Sequence, residues 1–315
     1  MNKKLWYVSI IVILFSAFAS FWGIKLYGAT KAEKEFKNFV QSTNLDKFYD
    51  IKVENFDFNP FTREFIFKNL HIKPKFAENQ PIEIEELRLK FEELKDGFVF
   101  SLKTEDLKSK YENKQISQDG KLILKYKNKV LEFKDESKIE NYFRLKTELE
   151  LENFDSKIFS LLKKLYRYLI VNLNNNLQNT YPYLINDEDF ILLISKLAMV
   201  IPEDIEVEYE ERGFSEILLE NLAKETGKDK EFLRKELIKD INKEIKREKN
   251  ENLKKLLEAF AYFLENKKGK LKVEIENKDS LSFQDIIALY VANRDANLVM
   301  NKLSDKITIK VEFEK

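Results

Sequence analysis

An uncharged apolar run near the N-terminus constrains most strongly what this chain folds into. The twenty residues from Leu5 to Ile24 contain no Asp, Glu, Lys or Arg, and as an α-helix they would cross about 30 Å of hydrocarbon. Lys4 and Lys25 flank the run, and tryptophan and tyrosine stand near both of its ends, which is typical of a membrane interface. We therefore expect residues 1–28 to form a transmembrane signal anchor.

A cleaved signal peptide is the alternative interpretation of the same run. The segment Ala17-Phe18-Ala19 has the small-x-small pattern of a processing site. The anchor is preferred because apolar residues continue through Ile24 and lead directly into a helix-compatible segment, Ala29 to Val40. The short basic head is typical of export, so we expect a single-pass protein of the cell inner membrane whose C-terminal domain is periplasmic or otherwise extracytoplasmic.

Composition indicates that the remaining residues fold around a large core. Apolar residues make up 43% of the 315 residues, and phenylalanine alone occurs 26 times, which is enough for a sizeable interior. The 55 Lys and Arg residues balance the 55 Asp and Glu residues, so nucleic acid is not an expected partner. The absence of cysteine excludes disulfides, thiolate metal sites and thiol nucleophiles.

Alternation of apolar and polar residues predicts strands in the first half of the chain. The clearest case is Phe143 to Leu151, where charged residues occupy every second position. A hairpin is predicted over Leu122 to Phe133, with its turn at Asn128. Further strands are predicted at Ile51 to Phe58, Glu64 to Ile72, Ile82 to Phe91 and Gly97 to Leu102. Together these segments predict an antiparallel β meander whose outward positions are polar.

From Ser156 onward the spacing of apolar residues changes to that of a helix. A stripe of leucine and isoleucine predicts a helix of about six turns. Later helices are predicted at Asp187 to Met199, Ser215 to Glu225, Lys230 to Lys246 and Asn252 to Leu264. Gly227 is expected to end one helix, and Ser282 with Asp285 three residues later to begin another. Strands are predicted at Ile205 to Tyr209, Lys270 to Glu276 and Lys306 to Phe313.

These segments define the predicted fold class and domains. We expect an α+β fold in which an N-terminal transmembrane helix is followed by an antiparallel β meander packed with several α-helices. Neither a solenoid repeat nor a long linker interrupts the sequence, so residues 29–315 are predicted to form one exported domain. Within it, residues 29–153 are expected to be mostly β, 154–268 mostly helical, and 269–315 strand, helix and strand.

His71 is the only histidine of the chain. It lies on a predicted strand in opposite phase to Leu70 and Ile72, so its imidazole is expected to face solvent. A Ser-His-Asp triad would need this residue, but no nucleophile elbow accompanies it. One histidine without cysteine also does not complete a zinc site unless three carboxylates join it.

Carboxylates and glycines give no sharper chemical signature. Asp187, Glu188 and Asp189 suit a hard cation, but the acidic first turn of a helix explains them better. Acidic pairs are so abundant that four glutamates on one predicted strand are uninformative, namely Glu85, Glu86, Glu92 and Glu93. Neither GxGxxG nor GxxxxGK[ST] occurs. We therefore expect no catalytic residue, no cofactor or cofactor-binding residue and no metal ligand, and we expect that the protein is not an enzyme.

Two stretches carry a resemblance to bacterial envelope proteins. After the predicted anchor, a strand, an Asn59-Pro60 turn and a second strand follow one another. Near the C-terminus, Arg212-Gly213-Phe214-Ser215 leads to Thr226-Gly227, and Gly269-Lys270-Leu271 precedes Ser282-Phe283-Gln284-Asp285 and a final strand. Over roughly half of the chain, this order resembles YdgA-like and AsmA-like envelope proteins.

The resemblance implies an inner-membrane anchor and a periplasmic β-rich domain, and AsmA-like members are linked to lipid handling. It carries no catalytic residue onto this sequence, which is shorter and richer in helix than long AsmA-like proteins. The leading hypothesis is a membrane-anchored envelope protein that acts through surface or protein contacts. The alternative is binding of a lipid or other apolar ligand in a groove between sheet and helices. Expected partners are the membrane, through the N-terminal helix, and lipid or envelope proteins, and the oligomeric state is left open.

Overall fold

Ten strands, paired in the order in which they follow along the chain, form an antiparallel sheet. The computed structural model describes residues 25–38, 40–41, 45–75, 81–111, 114–162, 164, 188–293, 303 and 306–315. The strands are β1 (Tyr49–Asn59), β2 (Glu64–Pro74), β3 (Ile82–Leu94), β4 (Gly97–Tyr111), β5 (Lys114–Lys127), β6 (Val130–Ile139), β7 (Phe143–Glu152), β8 (Ile201–Glu211), β9 (Gly269–Asn277) and β10 (Ile307–Glu314). The helices are α1 (25–38), α2 (Leu45–Phe48), α3 (157–162), α4 (Glu188–Ala198), α5 (Phe214–Thr226), α6 (Lys230–Arg247), α7 (Glu251–Asn266) and α8 (Phe283–Asn293).

The chain divides into two compact units. The first contains the described residues up to Glu93 together with Val99–Asp119, and the second contains Leu94–Phe98 and Gly120–Lys315. Each unit has buried apolar residues of its own, and each is described separately below. The prediction that residues 29–315 form one domain stays a prediction.

In the first unit, α1 packs beside β1 and β2. The ring of Phe36 on α1 lies 5.9 Å from that of Phe56 and 5.2 Å from that of Phe67, measured between centroids. Gly28 of the same helix faces Phe58, and a Cβ at residue 28 would lie 2.2 Å from a carbon of that ring. The missing side chain at Gly28 is therefore what allows helix and strand to approach so closely.

In the second unit, strands β6–β10 have one face covered by helices and one charged face. Alternate apolar residues of these strands point toward the helices, as the period of two requires. One buried cluster joins β5 and β6 to α3 and α4, and its members are Tyr126, Leu131, Phe154, Ile158, Leu161, Leu193 and Val200. A second cluster joins α7 to β9 and β10 through Ala259, Phe263, Leu271 and Val311. Burial of such side chains stabilises the fold by about 1.5–3 kcal/mol each.

Local sequence signals at turns and helix ends are confirmed. Asn128 and Lys129 form the two-residue turn between β5 and β6, and both have positive φ, at 52° and 65°, as a type I′ turn requires. Gly227 ends α5 with φ 67°. At the start of α8 the Ser282 hydroxyl donates to the Asp285 carboxylate at 2.6 Å, and the Asp285 N–H donates back to that hydroxyl at 3.3 Å.

The predicted fold class, an α+β fold in which an N-terminal transmembrane helix is followed by an antiparallel β meander packed with several α-helices, was wrong. The described residues instead form a ten-stranded antiparallel sheet with helices, and no described helix is apolar enough to cross a membrane. The sheet does not end near residue 153 but continues through β8, β9 and β10 to Glu314. Strand β8 runs over Ile201–Glu211 rather than Ile205 to Tyr209. The reason is that neighbouring antiparallel strands here are joined by helical connections as well as by hairpins, so the onset of helical spacing did not mark the end of the sheet.

The membrane-anchor interpretation is corrected together with the fold class. In the ranges that the structure describes, no helix is both long enough and apolar enough to cross a membrane. The described part of helix α1, residues 25–38, carries charged residues along its length. The apolar run from Leu5 to Ile24 lies outside the described residues. The predicted location in the cell envelope stays a prediction.

Candidate functional site

The charged face of β6–β10 is built from cross-strand rows in which each residue lies directly opposite the next. In most of these rows, positive and negative side chains are mixed. The most regular row alternates in sign across all five strands and consists of Glu136, Lys146, Glu208, Lys272 and Glu312. Opposite charges at such positions stabilise a sheet by about 0.2–1 kcal/mol per pair.

One row departs from this pattern and contains carboxylates alone on four adjacent strands. Glu132 lies opposite Glu150, Glu150 opposite Asp204, and Asp204 opposite Glu276. We call these four residues the acidic row. Because like charges directly opposite each other destabilise a sheet, the acidic row is locally unfavourable for the fold. Functional sites are commonly found where a few residues depart from the pattern that would stabilise the fold best.

Few cations neutralise the acidic row. The ammonium group of Lys125 lies 2.5 Å from the carboxylate of Glu132. Among the described residues, no Lys, Arg or His lies within 4 Å of the carboxylates of Glu150, Asp204 and Glu276. Burial raises the pKa of Glu150 above its ordinary value, and the charges of Glu132 and Asp204 raise it further. The row therefore concentrates negative charge that the sheet itself does not balance.

A β-bulge produces this alignment. The register between β7 and β8 shifts between Glu150 and Leu151, so that Leu151 pairs with Pro202 and Glu150 with Asp204. Pro202 has no N–H to give to a ladder, and a bulge is where a central strand tolerates proline. Glu203 is the extra residue of the bulge. One of its carboxylate oxygens is buried without a hydrogen-bond partner in the described structure, and burial raises its pKa.

The acidic row lines a shallow depression of about 350 Å³ on the charged face. Its lining includes seven carboxylates and two lysines, Lys134 and Lys310. An adjoining depression of about 280 Å³ is lined by four carboxylates and four basic side chains. The excess of negative charge therefore belongs to the first depression, whose open geometry suits contact with another surface.

Chemically, the acidic row provides hydrogen-bond acceptors and negative charge. No group of three or more His, Asp or Glu side chains in the described ranges has the spacing of a metal site. The arrangement is thus fitted to receive ammonium or guanidinium groups, which pair with carboxylates through charge-assisted hydrogen bonds.

The candidates named from the sequence lie elsewhere. His71 is on β2, where 45% of its side chain is exposed and its ring nitrogens lie 3.9 Å from Glu54 and from Glu83. Glu188 and Asp189 begin α4, and Asp189 accepts a bond from Lys164 at 2.7 Å. Asp187 lies outside the described residues. The four glutamates to which the sequence assigns no role, Glu85, Glu86, Glu92 and Glu93, are all on β3, where Arg88 donates to Glu86 and Lys90 pairs with Glu92.

The sequence patterns did not predict the acidic row. Alternation placed Glu148 and Glu150 among outward positions of a strand, but it did not show which charges of β8 and β9 would lie beside them. The available signal was the run of acidic residues around Pro202, since a proline inside a strand marks a bulge.

A separate polar cluster on the helix-covered face serves the fold. Glu211 is 3% exposed, and its carboxylate accepts bonds from the Gly213 and Ser215 N–H groups at 2.7 and 3.1 Å. The Tyr209 hydroxyl donates to the same carboxylate at 2.5 Å, and burial raises the pKa of that phenol. Glu211 thereby satisfies free N–H groups at the start of α5, as a capping residue does.

Fold and site together define a class of protein: an antiparallel-sheet protein in which one face of strands β6–β10 packs against helices and the other is charged and carries the acidic row. The family follows from the sequence. A protein-family model described as "Uncharacterized protein" matches residues 136–311. Because that span is more than half of the chain, the chain belongs to this family. The matched span contains three members of the acidic row, and Glu132 lies just before it. No curated protein matches the chain.

Proposed function

We propose that this chain is a non-enzymatic binding protein that acts through protein contacts, and that the acidic row is the center of its contact surface. The proposed occupant is a protein segment that presents several lysine or arginine side chains. The observation that carries the proposal is the alignment of four carboxylates on four adjacent strands, three of them without an ion pair in the described structure.

The dimensions of the row favour a polypeptide over a single small cation. Adjacent strands lie about 4.8 Å apart, so the row spans about 14 Å from β6 to β9. That distance matches several basic side chains on one face of a helix or along an extended segment. Complementary charge of this kind steers encounter and specifies the partner.

Neutralising the acidic row is expected to weaken binding of a synthetic lysine-rich peptide by about tenfold, since each lost pair is worth several tenths of a kcal/mol or more. The variant carries Glu150→Gln, Asp204→Asn and Glu276→Gln, which keep side-chain shape. Binding is measured by fluorescence anisotropy at low and at physiological salt. The same variant is expected to be about 1 kcal/mol more stable to urea, because the repulsion across the row is removed.

A matched control neutralises three glutamates of the alternating row, namely Glu136→Gln, Glu208→Gln and Glu312→Gln. This control removes the same number of charges from the same face, yet it is expected to change peptide affinity by less than about twofold. Equal losses in the two triple variants would show a nonspecific charge effect and contradict the proposal. Absence of peptide binding by the native chain would contradict it as well.

A second candidate function is binding of a lipid or other apolar ligand, and a groove in the first unit favours it. A cavity of about 580 Å³ lies between α1 and β1. Its lining includes the apolar side chains of Phe36, Ile51, Val53 and Phe56. In the second unit, by contrast, two buried clusters fill the interfaces between sheet and helices. An apolar ligand would therefore bind beside β1, in a cavity whose lining also contains Lys37, paired with Glu33 at 2.6 Å, and Lys52.

Filling this groove tests the second candidate. Val53→Trp is expected to reduce binding of a fluorescent fatty-acid probe at least tenfold, because the indole occupies the cavity. Phe61→Trp is the matched control, since Phe61 is 84% exposed and belongs to the same unit. Binding that is unchanged by Val53→Trp, or a native chain that does not bind the probe, would exclude this site.

A further inference from the structure

Helix α6 presents a basic face to solvent. Four exposed lysines follow one another along it at separations of four, four and three residues, namely Lys235, Lys239, Lys243 and Lys246. Such separations place side chains on one side of a helix. We call these four residues the lysine stripe. The other side of α6 is buried against α5 and α7, where Arg234 donates to Glu216 and to the Leu264 carbonyl.

Little negative charge neutralises the lysine stripe. Lys243 pairs with Asp240 at 2.7 Å. Among the described residues, no carboxylate lies within 4 Å of the ammonium groups of Lys235, Lys239 and Lys246. The other exposed carboxylates of α6 are engaged in ion pairs of their own, namely Glu231 with Arg234, Glu236 with Lys228 and Glu244 with Arg247. The stripe therefore presents three unbalanced cations, just as the acidic row presents three unbalanced carboxylates.

The lysine stripe and the acidic row also match in length. At a rise of about 1.5 Å per residue, the stripe extends about 17 Å from Lys235 to Lys246, whereas the acidic row spans about 14 Å across four strands. Each surface holds four like charges over this distance. All four lysines are exposed, as are Asp204 and Glu276 in the row. Flexible lysine side chains can therefore adjust to the small difference in spacing.

The two surfaces lie on opposite sides of the second unit. The acidic row is on the charged face of β6–β10, whereas α6 packs against α5 and α7 on the helix-covered side. The stripe of one chain therefore does not reach the row of the same chain. Contact between two different surfaces of identical copies is heterologous, and it produces rings or open chains rather than two-fold dimers.

On the basis of the function proposed above, we propose that the lysine stripe of a second copy of the chain occupies the acidic row. The ammonium groups pair with the carboxylates through charge-assisted hydrogen bonds, and the complementary charge of the two surfaces specifies the partner. Exposed ion pairs are individually weak and are screened by salt. The association is therefore reversible and weakens as the salt concentration rises.

Two complementary variants of the full-length chain test this arrangement. One is the triple variant of the acidic row described above, and the other neutralises the stripe with Lys235→Gln, Lys239→Gln and Lys246→Gln. In sedimentation equilibrium at low salt, each variant alone is expected to raise the dissociation constant for self-association by about tenfold or more. An equal mixture is expected to return the constant to within about threefold of the native value, because an intact row then meets an intact stripe. The mixture stops at dimers, whereas the native chain continues beyond them.

Matched controls separate this contact from general charge effects. Neutralising three exposed lysines outside the stripe is expected to change the dissociation constant by less than about twofold, and the substitutions are Lys249→Gln, Lys255→Gln and Lys268→Gln. The stripe variant is expected to bind the lysine-rich peptide with native affinity, because its acidic row is intact. Glutamine and lysine have similar helix propensities, so the stripe variant is expected to fold.

The outcomes distinguish this inference from the proposed function on which it rests. A chain that binds the lysine-rich peptide but stays monomeric at every concentration overturns the inference and leaves the proposed function standing. Absence of both peptide binding and self-association contradicts both. Self-association that neither triple variant weakens, such as one held by the apolar run from Leu5 to Ile24, also overturns the inference. So does a mixture of the two variants that associates no better than either variant alone.

Discussion

Replacing Phe263 with alanine is expected to lower the free energy of unfolding by about 3–5 kcal/mol, which is the usual cost of removing a buried phenylalanine ring. Phe263 of α7 is 3% exposed, and its ring lies 5.6 Å from that of Tyr209 and 5.7 Å from that of Phe313, measured between centroids. It also fills the space that Gly269 leaves open, where a Cβ would lie 2.8 Å from the ring. Urea unfolding followed by circular dichroism measures the change.

Phe260 of the same helix provides the matched control for this substitution. It is 52% exposed, so Phe260→Ala is expected to cost less than about 1 kcal/mol. Equal losses at the two positions would show that α7 does not pack on β9 and β10 through the face that contains Phe263. The comparison therefore tests the packing of the helix and not only the hydrophobicity of the residue removed.

Glu216 is expected to make the stability of the second unit strongly dependent on pH below 5. Its carboxylate on α5 accepts hydrogen bonds from Arg234 and from Lys230 on α6, the latter at 3.0 Å, and Lys267 lies 3.4 Å away. Burial alone would raise the pKa of Glu216, but the bonds from Arg234 and Lys230 outweigh it and lower the pKa from 4.5 to about 2. Arg234, which is 7% exposed, also donates to the Leu264 carbonyl of α7. The polar cluster around Glu216 therefore connects α5, α6 and α7.

The sign of the effect follows from the lowered pKa. The folded state holds the deprotonated carboxylate more strongly than the unfolded state does, so the stabilisation is complete above about pH 4.5 and is lost as the pH falls toward 2. We expect a loss of about 2–3 kcal/mol over this interval. Glu216→Gln removes the titrating group, so the difference in unfolding free energy between native and variant should shrink by that amount as the pH falls.

Urea unfolding at several pH values measures this difference, and Glu236→Gln is the control. Glu236 on α6 makes an exposed ion pair with Lys228 at 3.1 Å, which is expected to contribute little. A Glu216→Gln variant whose stability follows the native pH profile in parallel would contradict the role assigned to this cluster.

Much of the local structure could be predicted from the sequence because its causes are local. The alternation in Phe143 to Leu151, the turn at Asn128, the end of α5 at Gly227 and the start of α8 at Ser282 all depend on residues a few positions apart. The extent of the sheet could not be predicted in the same way. Strands β8, β9 and β10 are separated by helices, and nothing local shows that they add to β7 in order.

The sequence by itself determined which side chains of each strand share a face, since successive residues of a strand point to opposite sides. It also determined where the chain turns and where several helices end. Only the tertiary structure decided which residues lie opposite one another. If a strand slips by two residues against its neighbour, every side chain stays on its own face of the sheet. The alternation of apolar and polar residues therefore does not specify the register between strands. A two-residue slip of β9 would set Lys272 opposite Glu206, whereas the observed register, with the bulge beside Pro202, aligns Glu150, Asp204 and Glu276.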